Sequence, residues 1–446
     1  MTNRRLLFAV AWLASVSATC QAEEKAKCVP KPTLKCVLEI AAPLVDEAGT
    51  LAQFHYLADI ALAQKKLGDN AALQRTISVA RRRAAELSVS SDESLQLFHK
   101  LRFAEFFLAV GLPDPILAEF DPEIADAKDY WTHPSIRLVE RYVRYLVKVG
   151  RRDEAQAATA EQYKWLLAAG PSMLTRKPDE RSYAYGQDLL RAMILAGQHE
   201  TAQKLGAEIW AQLRRQPPAK ASDNGGFDGE ENIGARLGLA RQLIEAGKPT
   251  PTAEILSDAR TMLGPLPTPS PNLSQSDQRR IKLRALLHEL ELALSRLSKN
   301  AVLAQSTITA MRKLRATLPA KDKAGQLWKD SILLLEAGVK PLPPEFREEA
   351  TSLLSSARSN DELRAIGEIY AMWGDEVSTR AVVARFKQEE DAEFVAEKVC
   401  DICKRFARHG HVSAALNCAT LLTGSQEWQR VNRVALYAEI AKALTP

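Results

Sequence analysis

Apolar side chains recur at helical spacing along most of this chain, and the clearest example lies between residues 391 and 422. In the first half of that stretch, the apolar positions follow one another at intervals of three and four residues, which places them on one helix face. Gly410 ends this helix, because glycine adopts the left-handed conformation without a Cβ clash. The apolar pattern resumes at Val412 and continues to Leu422. Two helices joined by so short a turn lie antiparallel, so the stretch predicts a helical hairpin.

The same succession of an apolar helix face, a glycine and a second apolar face recurs along the chain. The turn glycines are Gly68, Gly111, Gly150, Gly197, Gly247, Gly338, Gly374 and Gly410. The first five are 43, 39, 47 and 50 residues apart, and the last three are 36 residues apart. The interval of 91 residues from Gly247 to Gly338 spans two units. Near its middle, we expect Lys299-Asn300 to replace the missing glycine, because asparagine also accepts the left-handed conformation.

Three of these turns carry an alanine five positions after the glycine. The alanines are Ala155, Ala202 and Ala415. A small residue there lets the two helices approach closely, and the pattern resembles the turn of tetratricopeptide repeats. The units in this chain are longer than the roughly 34 residues of that family, and they lack its proline-containing linkers. The resemblance implies an all-α fold, a right-handed α-solenoid of stacked antiparallel hairpins over residues 33–444, because one hairpin cannot bury its own apolar face.

The first 22 residues have the composition of a secretory signal peptide. Arg4 and Arg5 precede a run of thirteen apolar residues, 6–18, which is too short to span about 30 Å of hydrocarbon. Cleavage after Ala22 fits the small residues that such sites require. We therefore expect an exported, periplasmic protein with no transmembrane segment in the mature chain. A lipid anchor at Cys20 is the alternative.

A proline-rich segment at residues 264–274 interrupts the helical pattern. Its four prolines predict an extended, semi-rigid linker. The predicted organisation is therefore a signal peptide at 1–22, an N-terminal helical-repeat half at 23–263, this linker, and a C-terminal helical-repeat half at 275–446.

The charge balance argues against a nucleic-acid partner. The formal net charge of +5 falls to +3 when residues 1–22 are removed with their two arginines. The basic runs at 81–83 and 279–282 lie within helical patterns beside acidic residues, as solvent-exposed helix faces do. We expect no nucleic-acid binding.

The sequence contains no motif that predicts a catalytic centre, a cofactor or a metal. Its seven histidines form neither a Ser/His/Asp pattern nor a metalloprotease pattern. Cys400 and Cys403, followed by His409 and His411, have the spacing of a redox or metal pair. A redox pair needs a helix N-terminus to lower its thiol pKa, whereas these cysteines lie on an apolar helix face. We interpret them as core or disulfide residues.

The cysteine spacing predicts disulfides in an oxidising compartment. Cys403 and Cys418 lie seven to eight residues on either side of the last turn glycine, so an antiparallel hairpin places them opposite each other. We predict a bond between these two and a second bond between Cys28 and Cys36, which leaves Cys400 free. A bond between Cys400 and Cys403 is the main competitor.

Aromatic residues concentrate between positions 130 and 210, where six of the nine tyrosines and three of the seven tryptophans lie. In one interpretation these rings fill the space between stacked helices. In the other they line a surface that binds a peptide or a glycan.

The leading functional hypothesis is a secreted helical-repeat scaffold that binds a protein or peptide partner and is not an enzyme. The alternatives are an envelope enzyme of the superhelical hydrolase type with dispersed catalytic carboxylates, and a peptide- or glycan-binding module that uses the aromatic zone. A pocket containing a buried glutamate with a raised pKa would favour the enzyme.

Overall fold

A computed structural model describes residues 28–48, 53–87, 93–119, 139–170, 174–175, 185–215, 229–270, 272–386, 392–422 and 426–445. Within these ranges the regular structure is helical and contains no strand, so the prediction of an all-α protein is confirmed. None of the helices in these ranges is both long enough and apolar enough to cross a bilayer. The predicted signal peptide, 1–22, lies outside the described residues.

The described ranges contain twenty helices. They are α1 (Leu34–Ala48), α2 (Phe54–Leu67), α3 (Asn70–Leu87), α4 (Glu93–Val110), α5 (Asp114–Glu119), α6 (Val139–Lys148), α7 (Arg152–Ala169), α8 (Tyr185–Leu195), α9 (His199–Arg215), α10 (Gly229–Glu245), α11 (Pro249–Leu263), α12 (Gln275–Leu297), α13 (Ala301–Thr317), α14 (Ala320–Glu336), α15 (Pro344–Ser356), α16 (Asn360–Met372), α17 (Glu376–Val383), α18 (Ala392–Arg408), α19 (Val412–Ala419) and α20 (Glu427–Ala443).

The helices form two compact units. The first unit combines the residues up to 122 with those from 347 onward, and the second contains residues 123–346. The predicted linker at 264–274 lies inside the second unit.

The second unit is a succession of helical hairpins. Its neighbouring helices pair as α6–α7, α8–α9, α10–α11 and α12–α13. The first helices of these hairpins also pack in a row, α6 on α8, α8 on α10 and α10 on α12. Each hairpin thereby covers an apolar face that its neighbour leaves open, which is the packing of a helical repeat.

The first unit is also a row of packed helical hairpins, but its helices come from both the N-terminal and the C-terminal part of the chain. Its first helices pack in the order α16, α18, α20, α2 and α4, and their hairpin partners are α17 for α16, α19 for α18 and α3 for α2. The helix that packs most extensively on α20 is α1, the first described helix of the chain. We call this pair of helices, which no turn joins, the terminal hairpin. Val37 and Ala41 of α1 and Leu436 and Ile440 of α20 are fully buried.

The turns between hairpin helices confirm the glycine pattern. All eight predicted turn glycines have positive φ, between 68° and 87°. The three alanines that follow five positions later, Ala155, Ala202 and Ala415, are at most 2% exposed. These turns therefore close in the left-handed conformation that the sequence predicts.

The glycine-free turn differs in detail from the prediction. Lys299, not Asn300, takes the left-handed conformation, with φ of 53°. Asn300 instead caps α13, because its side-chain oxygen accepts a hydrogen bond of 2.9 Å from the backbone N–H of Leu303. Asparagine is a favoured N-cap residue, so the cap fixes its position and shifts the strained conformation to the lysine.

We expect Lys299→Gly to stabilise the protein by about 1 kcal/mol, because glycine removes the Cβ strain of the left-handed conformation. Lys299→Ala is the matched control, since it removes the exposed side chain and keeps the Cβ. Urea denaturation of the two variants measures the difference. Equal midpoints would contradict the strain that we assign to this residue.

Side chains of one hairpin also form hydrogen bonds with the C-terminal end of the first helix of the next hairpin along the chain. The ammonium of Lys65 donates to the carbonyl of Gly111 at 2.6 Å, Gln156 donates to that of Ala196 at 3.2 Å, and Arg296 donates to that of Glu336 at 2.8 Å. The last carbonyls of a helix have no intrahelical donor. These bonds therefore satisfy polar groups and fix the spacing of neighbouring hairpins.

Candidate functional site

A cleft lies between α12 and α14 in the second unit. It consists of two cavities of about 520 and 370 Å³ that share Glu289 and Leu333 in their walls. On α12 the lining extends from Ile281 to Leu297, or about 24 Å at 1.5 Å per residue. The apolar lining consists of Ile244, Ile281, Ala285, Leu286, Leu292, Ala293, Leu297, Trp328, Ile332, Leu333 and Ala337. We call this feature the α12–α14 cleft.

The cleft exists because α14 is attached to α13 more closely than to α12. A buried ion pair joins Arg315 of α13 to Asp330 of α14, and both side chains are almost inaccessible to solvent. The guanidinium of Arg315 also lies over the ring of Phe346, 4.8 Å from its centroid. These contacts hold α14 against α13, and Arg296 of α12 reaches α14 at the carbonyl of Glu336, at one end of the cleft.

Charged groups are unevenly distributed along the cleft. Lys282 and Lys329 line the smaller cavity, and both are exposed. Glu289, in the wall that the two cavities share, accepts a hydrogen bond of 2.8 Å from Arg241. The carboxylate of Glu336 is exposed in the larger cavity. The smaller cavity therefore carries two lysines, whereas the larger cavity carries one cation, Arg296, beside the acidic Glu336.

A charged cluster lies at Glu291 and His288, two buried residues of α12. Burial raises the pKa of Glu291, although hydrogen bonds from Arg260 and Thr307 oppose this shift. Glu291 is thus the buried glutamate with a raised pKa that the enzyme hypothesis requires. However, it does not line the α12–α14 cleft, and it forms an ion pair with Arg260. This arrangement ties α11, α12 and α13 together.

His288 predicts a pH dependence of stability. Burial and the nearby Arg284 and Arg260 lower its pKa from 6.5 to about 4. As the pH falls, the unfolded chain therefore binds a proton near pH 6.5, whereas the folded chain binds it only near pH 4. The free energy of unfolding consequently decreases as the pH falls. We expect about 2 kcal/mol less stability at pH 5 than at pH 7 from this residue. The raised pKa of Glu291 acts in the opposite direction.

The measurement is urea denaturation at both pH values for the wild type and for His288→Gln. Because Glu291 is present in both proteins, the difference between their pH dependences isolates the histidine. An equally steep acid dependence in the variant would contradict this assignment.

Ion pairs cross-link the first helices of the first unit. Arg405 of α18 donates to Glu368 of α16 at 2.8 Å, and Arg408 of α18 donates to Glu439 of α20 at 2.5 Å. Burial opposes ionisation of Glu439, but the hydrogen bond from Arg408 keeps its pKa below the ordinary value. Glu368 and Glu439 are buried and paired, so their geometry favours a structural role over a catalytic one.

The structure places both predicted cysteine pairs at bonding geometry. The Cα atoms of Cys403 and Cys418 are 5.4 Å apart, and those of Cys28 and Cys36 are 5.9 Å apart. Cys400 is free and buried, its Sγ donates to the carbonyl of Asn432 at 3.1 Å, and burial raises the pKa of its thiol to about 12. Such a thiol is a poor nucleophile at neutral pH.

The other sequence-level candidates do not form a site in the described part of the chain. The ring of His411 lies 3.3 Å from the carbonyl oxygen of Met372 and packs edge-on against Phe406. Among the described residues, no group of three or more His, Cys, Asp or Glu side chains is placed to hold a metal ion.

The described aromatic residues between 130 and 210 lie mostly in the interior. Tyr142, Tyr145 and Trp210 are at most 9% exposed, and Trp165 packs against the core of the second unit. Tyr163 is partly exposed and its hydroxyl donates to Glu208 at 3.2 Å. The packing interpretation therefore holds for most described members of the zone. Tyr130, Trp131 and Tyr183 lie outside the described residues.

Comparisons with known proteins found a structural match too distant to support an argument. No protein-family model and no curated protein matches this chain. A search of solved structures found a circular tandem repeat protein with novel repeat topology and enhanced subunit contact surfaces. The two share 14% sequence identity, with a TM-score of 0.28 over 87% of this chain and 82% of the other. At that score the likeness supports no argument about function.

Proposed function

We propose that this chain is an exported helical-repeat scaffold that binds a protein or peptide partner in the α12–α14 cleft. The observation that carries the proposal is an open, mainly apolar cleft about 24 Å long between two helices of a repeat array. Extended apolar depressions with polar rims are typical of protein-contact sites. We also propose that the hairpins stack in a right-handed superhelix of the tetratricopeptide type.

A non-catalytic role forms part of this proposal. Glu291 and Glu368 are buried carboxylates and therefore candidates for a catalytic role. Each accepts a hydrogen bond from an arginine on a neighbouring helix. These contacts support a function in holding helices together. Export, with removal of residues 1–22, is supported by the signal-like N-terminal sequence and by two cysteine pairs at bonding geometry.

Site-specific photo-crosslinking tests the binding proposal in the living cell. A photoreactive phenylalanine replaces Leu286 in the cleft, and the control replaces Gln305, which is exposed on α13 outside the cleft. We expect a cross-linked partner from position 286, none from 305, and loss of the product when Ala293→Arg fills the cleft. Absence of a product at 286, or equal products at both positions, would refute the proposed site.

A further inference from the structure

The residues that line the α12–α14 cleft define the chemistry of its occupant, provided that the binding function proposed above is correct. We propose that the cleft receives an amphipathic α-helix of a partner protein, with acidic side chains at the end that meets Lys282 and Lys329.

The walls favour a helix over an extended peptide. Both sides of the cleft are α-helices, whose backbone N–H and C=O groups are bonded within the helix. An extended peptide would therefore find side chains but no row of backbone partners, and its own polar groups would be buried unpaired. A helix satisfies its backbone internally and presents only side chains to the walls.

The spacing of the lining residues fits the same occupant. On α12 the lining positions 281, 285, 289, 293 and 297 recur every four residues and form one ridge. Small side chains at Ala285 and Ala293 lie between larger ones on this ridge. A partner helix with apolar residues at intervals of three and four positions can place its side chains against these alanines. A length of about 24 Å corresponds to roughly 16 helical residues.

The charges fix the polarity of the occupant. Lys282 and Lys329 line the same cavity, and neither belongs to an ion pair among the described residues. Gln326 of the same cavity is neutral and donates to Asp330 at 2.8 Å, and Glu289, which lines both cavities, is paired with Arg241. At the opposite end, the acidic Glu336 is exposed and the one lining cation, Arg296, donates to the carbonyl of Glu336. Two unpaired cations at one end therefore select an acidic terminus of the partner helix.

Three synthetic peptides of 16 residues test the inference against the full mature chain. The first has an apolar stripe and two glutamates at one end, the second replaces those glutamates with lysines, and the third is a scramble of the first without the stripe. Fluorescence anisotropy measures binding and circular dichroism measures peptide helicity. We expect the first peptide to bind at least tenfold more tightly than the other two and to gain helicity when bound.

Charge reversal in the protein provides the decisive comparison. The double variant Lys282→Glu/Lys329→Glu should bind the glutamate peptide at least tenfold more weakly and should prefer the lysine peptide. Lys321→Glu is the matched control, since Lys321 is exposed on α14 but does not line the cleft, and its affinity should match the wild type.

The inference is overturned if the scramble binds equally well, if the double variant behaves as Lys321→Glu does, or if no peptide binds. It is also overturned if analytical ultracentrifugation shows a dimer of this chain that becomes monomeric when Ala293→Arg fills the cleft. These outcomes are separate from the proposed function. A partner captured at position 286 whose cross-linked segment is extended would preserve the function and refute the helical occupant.

Discussion

Val37→Asp on α1 is expected to destabilise the first unit by about 4 kcal/mol and to expose α20, although the two helices are almost the whole chain apart. Val37 is fully buried on the helix that pairs with α20. A carboxylate at this position would be buried without a partner, or else α1 would separate from α20. Either result leaves the apolar face of α20 uncovered.

Hydrogen exchange read by mass spectrometry checks this prediction. Amides of residues 427–443 should lose protection in Val37→Asp, while those of α10 and α12 in the second unit should change far less. Glu39→Ala is the control, because Glu39 is exposed on the same helix. If faster exchange is confined to residues 34–67, the terminal hairpin does not behave as one cooperative element.

Removal of the Cys403–Cys418 bond is the second large effect that we expect. The bond closes a loop of 15 residues between α18 and α19, which corresponds to about 3 kcal/mol in the chain-entropy description, and native disulfides commonly contribute roughly 2–5 kcal/mol. The free energy of unfolding of the double variant Cys403→Ala/Cys418→Ala should be lower by this amount. Cys400→Ala removes a buried free thiol from the same helix and should lose about 1 kcal/mol.

Denaturation with and without dithiothreitol, together with non-reducing peptide mapping, separates the contributions. Reduction should affect the wild type more than the double variant, in which only the Cys28–Cys36 pair remains to be reduced. Free alkylation of both thiols in the native, unreduced protein would show that the bond does not form. A cross-link that contains Cys400 would show that the pairing is different.

The hairpins themselves could be predicted because their determinants are local. A glycine such as Gly410 ends a helix through its own backbone freedom, and the apolar spacing on either side defines two helix faces. The opposed positions of Cys403 and Cys418 follow from that turn by geometry. Lys299 was harder to place, because the preference of Asn300 for the N-cap competes with its preference for the left-handed conformation.

The terminal hairpin could not be predicted by the same reasoning, since consecutive helices are normally neighbours in space. One signal was present: α1 and α20 are each left without a hairpin partner when the glycine turns are assigned in order. The α12–α14 cleft was also inaccessible, because it depends on distances between helices. Arg315 and Asp330, which hold α14 against α13, are 15 residues apart and carry no motif.

The terminal hairpin also sets an order of events during synthesis. Because α20 is made last and α1 first among the described helices, the first unit cannot be completed until α20 has been synthesised. The second unit is continuous in sequence and has no such delay. Until α20 is available, α1 and α2 therefore lack the helix on which they pack. A chain that ends before α20 would consequently have an incomplete first unit, with apolar side chains of α1 such as Val37 exposed.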